Sequence, residues 1–172
     1  WNDYLANLKA KQRHEIRRKI RRVREAGTVE FREWASPDEV HNGLSLLLEL
    51  MVRSDPQKES FLTPRMKDYF FSLCRRMADA GRLHLFVLTI DGTPGAAVVC
   101  FEHDDTLYLY NSGYDPESKA PSTGVVCKAM SIDAAIRLGK TCYDFLRGEE
   151  VYKFRMGGQS LPLVRLRAGI GA

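Results

Sequence analysis

Three apolar runs follow one another so closely between residues 83 and 113 that only hairpins can join them: LHLFVLTI (83 to 90), GAAVVCF (95 to 101) and TLYLYNSG (106 to 113). Each has the length of a strand and is rich in β-branched or aromatic residues. Asp91-Gly92 is the dipeptide favoured by a two-residue turn with positive φ at both centres, and the short acidic link His103-Asp104-Asp105 makes the second connection. The chain is therefore committed to an antiparallel meander, and the segments on either side of it must cover its two faces.

Ahead of the meander, residues 2 to 26 read as one long helix, with Tyr4, Leu8, Gln12, Ile16 and Ile20 on an i, i+4 line, Leu5 and Val23 beside it, and Gly27 as terminator. TVEFREW (28 to 34) alternates as a strand. Ser36-Pro37-Asp38-Glu39 then supplies an N-cap serine, a first-turn proline and a glutamate three residues on, opening a helix with Leu44, Leu47, Leu48 and Met51 inward. Thr63-Pro64 opens another in the same way, carrying Met66, Phe70, Leu73, Cys74 and Met77 on one side as far as Gly81. After the meander and the polar stretch YDPESKAPS, a helix from Ser122 to Leu138 is expected, with Val125, Ala129, Ile132 and Ile136 inward. TCYDFL (141 to 146) is the strand that a crossover would lay parallel to 106–112. A short helix follows it, and LPLVRLR (161 to 167) reads as a last strand.

At 172 residues this is one domain's worth of chain. No apolar run approaches the roughly 20 residues of a membrane span, and no signal peptide is visible, so the reading is a soluble, cytoplasmic protein. The chain opens on Trp1 rather than Met and so reads as a piece of a longer protein, with a further domain expected ahead of it. Cys74, Cys100, Cys127 and Cys142 are scattered without the close pairs of a zinc site; they read as small core hydrophobes in a reducing compartment, and no metal site is expected. The net charge of +4 conceals a split: residues 9 to 24 hold nine Lys/Arg against one Glu, while the remainder has 17 Lys/Arg against 21 acids. A charge of +8 on one helix suits a polyanion or a solvated face, and no aromatic residue is interleaved for base stacking, so nucleic acid is not expected.

The element order, with IDGTPGAAVVCF, YLYNSGYDPE, PSTGVV and YDFLRGEEVYKFR, resembles the GNAT superfamily of N-acyltransferases, and in wording the acetyltransferase domain of bacterial polysaccharide-biosynthesis proteins of the cellulose type. That domain is related in fold to the Fem peptidoglycan-bridge transferases. The basic helix KAKQRHEIRRKIRRVREAG also looks like the one such proteins carry ahead of the catalytic fold. The resemblance implies an α/β (α+β) GNAT fold: a central mixed, mostly antiparallel sheet flanked by helices, over residues 28–172, behind a basic lead-in helix at 1–27. It further implies an acetyl-CoA-dependent enzyme that acetylates an amine of a sugar, an amino acid or a cell-envelope precursor. A Fem-like aminoacyl-tRNA-dependent transferase, a non-catalytic GNAT-like half with a second such domain ahead of it, and a polyanion-binding module are the alternatives.

On this resemblance the turn before the crossover helix holds the pyrophosphate of coenzyme A, with Lys119, Ser122, Thr123, Gly124 and Val125 as the candidate donor site. The family pattern of Arg or Gln, two residues, Gly, one residue, Gly or Ala is met only in part, because Ser122 stands where the first glycine belongs; as residues alone, Ser122 and Gly124 read equally well as an N-cap and a small first-turn residue. The strand around Tyr108 to Ser112 should splay from the one at 141 to 146, leaving backbone at Asn111 and Ser112 to hold the thioester arm. Asp144, a carboxylate in apolar company, must be paired or have a raised pKa, which leaves open an ion pair with Arg147 or Lys153 and a catalytic base. Glu149, Tyr152 and Lys153 fall at i, i+3 and i+4 and so share a helix face. Tyr152 resembles the tyrosine that many GNAT enzymes use as general acid, with Asp144 or Glu149 as base and Lys153 as a group that polarises the carbonyl or holds an anion. Tyr110, Arg147 and Arg53 are the candidate acceptor contacts, in a cleft bounded by the loops 55–63 and 114–119.

Overall fold

A computed structural model describes residues 1 to 165. Five strands form one sheet in sequential order: β1 (Val29–Glu33), β2 (Leu83–Ile90), β3 (Thr93–His103), β4 (Thr106–Tyr114) and β5 (Cys142–Asp144). The first four pair antiparallel and β5 lies parallel to β4, as expected of a strand reached by a crossover. The hairpins form where turn chemistry placed them: Asp91 and Gly92 have φ of 51° and 77°, and Asp104 has φ of 51°.

Among the described residues seven helices surround the sheet, not all in contact with it: α1 (Asn2–Asn7), α2 (Ala10–Glu25), α3 (Pro37–Ser54), α4 (Lys58–Phe61), α5 (Pro64–Asp79), α6 (Thr123–Arg137) and α7 (Val151–Arg155). The period-2 alternation divides the sheet residues between two cores. Leu85, Val87, Ala97 and Val99 meet Leu44, Leu47, Met51, Phe70 and Cys74 of α3 and α5. On the other face, Phe86, Leu88, Val98, Cys100, Leu107 and Leu109 meet Val126, Cys127 and Ala135 of α6 and Val23 of α2. The start signals of α3 and α5 work as read: Ser36 and Glu39 form a reciprocal capping box, and the Thr63 hydroxyl accepts from the Met66 amide at 3.3 Å.

The structure corrects several local expectations. The segment 2–26 is two helices, because Leu8 and Lys9 are extended (ψ 151° and 141°). Neither glycine nor proline marks this break. Leu8 turns into a third core with Leu5, Ile16, Ala129, Ile132 and Met156, while Arg13 donates to the carbonyls of Leu5, Ala6 and Leu8 at 3.2–3.5 Å, so one guanidinium satisfies the end of α1. In α6, Ile136 is exposed and Val126, Cys127, Ser131 and Ala135 are buried instead, since that helix is covered by the sheet on one side and by α1, α2 and α7 on the other. Cys142 is exposed; the other three cysteines are buried, and all four are free. The strand expected over 141–146 is confined to Cys142–Asp144. Leu161 to Arg165 form no strand and Leu161, Leu163 and Val164 are exposed; Leu166 and Arg167 lie outside the described residues.

One buried polar cluster ties the sheet edge together. His84 bridges two carboxylates, Nδ1 to Glu33 at 2.8 Å and Nε2 to Glu102 at 2.9 Å, and Glu102 also pairs with Lys140 at 2.6 Å. Burial disfavours the charged imidazole, but the two carboxylates outweigh it and raise His84 above its ordinary value; Lys140 and His84 together hold Glu102 below its own. A raised folded-state value makes the His84 contribution complete below the unfolded pKa near 6.5 and loses it as pH rises through the folded value. The Glu102 contribution runs the other way and is lost on acidification. His84→Gln is therefore expected to cost about 1–3 kcal/mol near pH 6 and less at pH 9, read from urea midpoints across pH; equal losses at both pH values would show that the imidazole is not charged in the fold.

Candidate active site

The candidate site lies where β4 runs on beyond its pairing with β5. Pairing with β5 ends at Tyr108↔Asp144, so β4 runs on from Leu109 to Tyr114 with its β5-side edge open. On the other edge the register jumps: Cys100 pairs with Leu109 and Val99 with Asn111, leaving Tyr110 as an extra residue in a β-bulge. Because cross-strand partners share a face, the bulge puts Tyr110 and Asn111 both toward α3 and α5, where strict alternation would have separated them, and returns Ser112 to the α6 face. Tyr110 packs against Phe70 (5.7 Å between ring centroids) and Phe101 (4.7 Å), and burial, with Tyr69 nearby, pushes its phenol up to about 12. The Asn111 side-chain oxygen accepts from the Ser112 amide at 2.9 Å. Gly113 lies under the backbone of α3: a Cβ there would stand 2.5 Å from Leu50 C and from Met51 N.

The turn into α6 has the geometry of the glycine it lacks. Ser122 is left-handed (φ 69°, ψ 24°), a conformation costly for a residue with a Cβ, and its hydroxyl does not cap the helix. The hydroxyl instead accepts from Lys19 Nζ of α2 at 3.3 Å. Thr123 is buried, and its hydroxyl donates to the Gly95 carbonyl at 3.1 Å, tying the first turn to β3. The Tyr114 ring lies over Gly124, whose missing Cβ would stand 2.9 Å from it, and Val125 is half-buried in the third core. Lys119 is drawn away to an ion pair with Asp91 at the β2–β3 turn.

Beyond β5 the chain turns through Leu146 (φ 56°) and Gly148 (φ 114°) into α7. Asp144 makes neither expected ion pair; its Oδ1 accepts from the Leu146 amide at 2.6 Å and shapes the turn. Glu149 and Arg147 are exposed, without an ion pair among the described residues. Lys153 is buried beneath the turn: it donates to the Arg147 carbonyl at 2.7 Å and, at 3.4 Å, to those of Leu146 and Gly148, and pairs with Glu150 at 2.9 Å. It thus departs from the face expected to hold Glu149 and Tyr152, because four acceptors on the turn draw it inward. The Tyr152 ring packs edge-on to Phe145 at 6.1 Å, and burial, with the Glu150 carboxylate, raises its phenol to about 12. Arg53 sits at the far end of β4, paired with Asp115 at 3.1 Å and Glu49 at 3.0 Å. Among the described residues no His/Cys/Asp/Glu group suits a metal ion, and no helix is long and apolar enough to cross a membrane.

Sequence reading missed Lys128. It is buried in α6 one turn beyond Gly124, with Nζ 3.4 Å from the Gly124 carbonyl and 4.9 Å from the centroid of the Tyr152 ring, and among the described residues it forms no ion pair. Burial brings its ammonium down to about 8. The only sequence signal is a lysine among the apolar positions of a helix, which periodicity reads as solvated.

Comparison with known proteins finds the same fold elsewhere. In fold the chain is similar to an aminoglycoside acetyltransferase from an uncultured soil metagenomic sample (TM-score 0.57, 11% identity, covering 84% of this chain and 99% of that one). It is similar to AAC(6')-Iy, determined in complex with the bisubstrate analogue CoA-S-monomethyl-acetylneamine (TM-score 0.57, 10% identity, 83% and 99%). A GNAT family acetyltransferase of Staphylococcus aureus is a further neighbour (TM-score 0.55, 11% identity, 82% and 98%). At these identities the likeness is one of fold, and no curated protein matches the sequence. The family model for the acetyltransferase (GNAT) domain, however, matches residues 10–154, from the basic helix α2 through Tyr152 and Lys153, and the chain belongs to that family.

Proposed function

We propose that this acetyltransferase domain transfers the acetyl group of acetyl-CoA to a primary amine of a sugar, an amino acid or a cell-envelope precursor, in the cytoplasm, by direct attack. The observation that carries the reading is the β5-side edge of β4, which has no strand partner beyond Tyr108, while the other edge stays paired to β3. An extended pantetheine arm can add to such an edge as a strand would, with its diphosphate at the helix N-terminus. The Ser122 turn fits that group, since the left-handed residue and the absence of a side-chain cap leave the Thr123 and Gly124 amides without a partner among the described residues, while the Val125 amide bonds to the Ser122 carbonyl at 3.0 Å. The acceptor nitrogen attacks the thioester carbonyl, the C–N bond forms, and the C–S bond breaks. Tyr152, whose high pKa keeps it protonated at neutral pH, gives its proton to the departing thiolate. The proton lost from the ammonium passes to Glu149 or Asp144, directly or through water. Lys153 serves this reading as the clamp that holds the 146–148 turn in place.

Titration calorimetry with acetyl-CoA and CoA tests the donor half. Ser122→Asp places a carboxylate on the anion seat, yet aspartate tolerates the left-handed conformation and is a good N-cap, so the fold should hold while affinity falls about tenfold or more. Failure of the folded wild-type chain to bind either ligand would overturn the acetyl-CoA reading and point to an aminoacyl-tRNA donor. Where binding is found, glucosamine, free amino acids and an aminoglycoside form the first acceptor panel.

A further inference from the structure

Lys128 is a buried ammonium with an incomplete set of partners. Of its three donors one makes a long bond to a carbonyl of its own helix, and the aromatic face of Tyr152 lies 4.9 Å from it. Two charged groups act on it from other segments: Lys58 of α4 adds repulsion, and Glu150, the residue before α7 and already paired with Lys153, adds weak attraction. Lys19 of α2 reaches the same turn, 3.3 Å from the Ser122 hydroxyl, while the nearest carboxylate to it, Glu15, lies at 3.8 Å and is engaged by Arg18 at 2.6 Å. Positive charge is thus gathered at the α6 N-terminus from two sides in excess of the acids present.

We propose that Lys19 and Lys128 are donor-binding residues: Lys19 contacts a phosphate of CoA seated on the first turn of α6, and Lys128 acts from behind that turn as a fixed charge whose counter-ion is the ligand. The assignment rests on the acetyl-CoA reading above and adds to it two residues outside the loop Lys119–Gly124. It also gives part of the basic helix a use, since Lys19 is the α2 cation that reaches the turn. A buried charge works through the low-dielectric interior without direct contact, so Lys128 need not be exposed to raise the affinity for an anion several ångströms away. An unpaired buried cation destabilises the free protein. The same residue should therefore oppose folding and favour the ligand.

The test is calorimetry of the whole chain with CoA and, as a phosphate-free probe, pantetheine measured by competition, on wild type, Lys128→Met and Lys19→Met, alongside thermal melting. Both variants are expected to bind CoA about tenfold more weakly, or about 1.4 kcal/mol, with pantetheine affinity unchanged. Lys128→Met is expected to melt roughly 3 °C or more above wild type, which separates loss of binding from loss of fold. Wild-type affinity for CoA in either folded variant would overturn the paired arrangement while leaving the donor reading intact. Equal weakening toward pantetheine would overturn it too, since the charges would not be acting on phosphate. A wild type that binds no CoA removes the donor reading and this proposal with it.

Discussion

Tyr152→Phe is expected to lower kcat by about 10²–10⁴, the range for removal of a general acid, with little change in the affinity for CoA or in stability. The geometry makes this substitution unusually clean. The ring is held by its faces and edges, against Phe145 at 6.1 Å and over the Lys128 ammonium at 4.9 Å, and phenylalanine keeps both contacts. The hydroxyl has no hydrogen-bond partner among the described residues, so its loss strands no buried group. On the proposed mechanism, what is lost is a proton donor whose pKa of about 12 keeps it neutral and protonated until the thiolate forms. Steady-state kinetics with acetyl-CoA and an amine from the acceptor panel measures the effect, and a kcat within threefold of wild type would remove Tyr152 from the reaction.

The second large effect is on the scaffold. Gly113→Ala sets a methyl group 2.5 Å from two backbone atoms of α3, Leu50 C and Met51 N, which cannot move aside as a flexible side chain would. Relief requires α3 to lift from β4, and α3 carries Leu44, Leu47 and Met51 in the core beneath it. A cost of about 3 kcal/mol is expected, at the upper end of overpacking effects, with a melting temperature lower by roughly 6–12 °C. Gly113 is also two residues past Asn111, so the residual fold should bind CoA more weakly as the open edge of β4 shifts. A variant melting within 2 °C of wild type would show that the α3–β4 approach is looser than 2.5 Å implies.

The comparison of residues with fold divides along the range of the forces involved. The meander was legible because turn residues and period-2 alternation are local: Asp91-Gly92 has only a few conformations to choose from whatever surrounds it. The capping box of Ser36 and Glu39 and the crossover to β5 were legible for the same reason, the one from spacing and the other from chain order. The first turn of α6 was only half legible, because Ser122 takes the left-handed conformation that its identity disfavours and the tertiary structure imposes. Helical spacing set Lys153 on the face of Glu149 and Tyr152, and Lys128 was passed over, since a charged residue on a helix is read as solvated unless distant groups enclose it. The four acceptors around Lys153 and the α6–α7 packing around Lys128 lie in segments that meet only after folding. The break at Leu8 and Lys9 has the same origin, with burial of Leu8 and the reach of Arg13 outweighing an unbroken helical pattern. By itself, then, the sequence determined the meander, the starts of α3 and α5 and the order of the crossover, because those choices are made by neighbours along the chain. The tertiary structure alone decided where β4 bulges, which charges are buried and which residue enters α6 in the left-handed conformation, because those depend on long-range packing that no local pattern encodes.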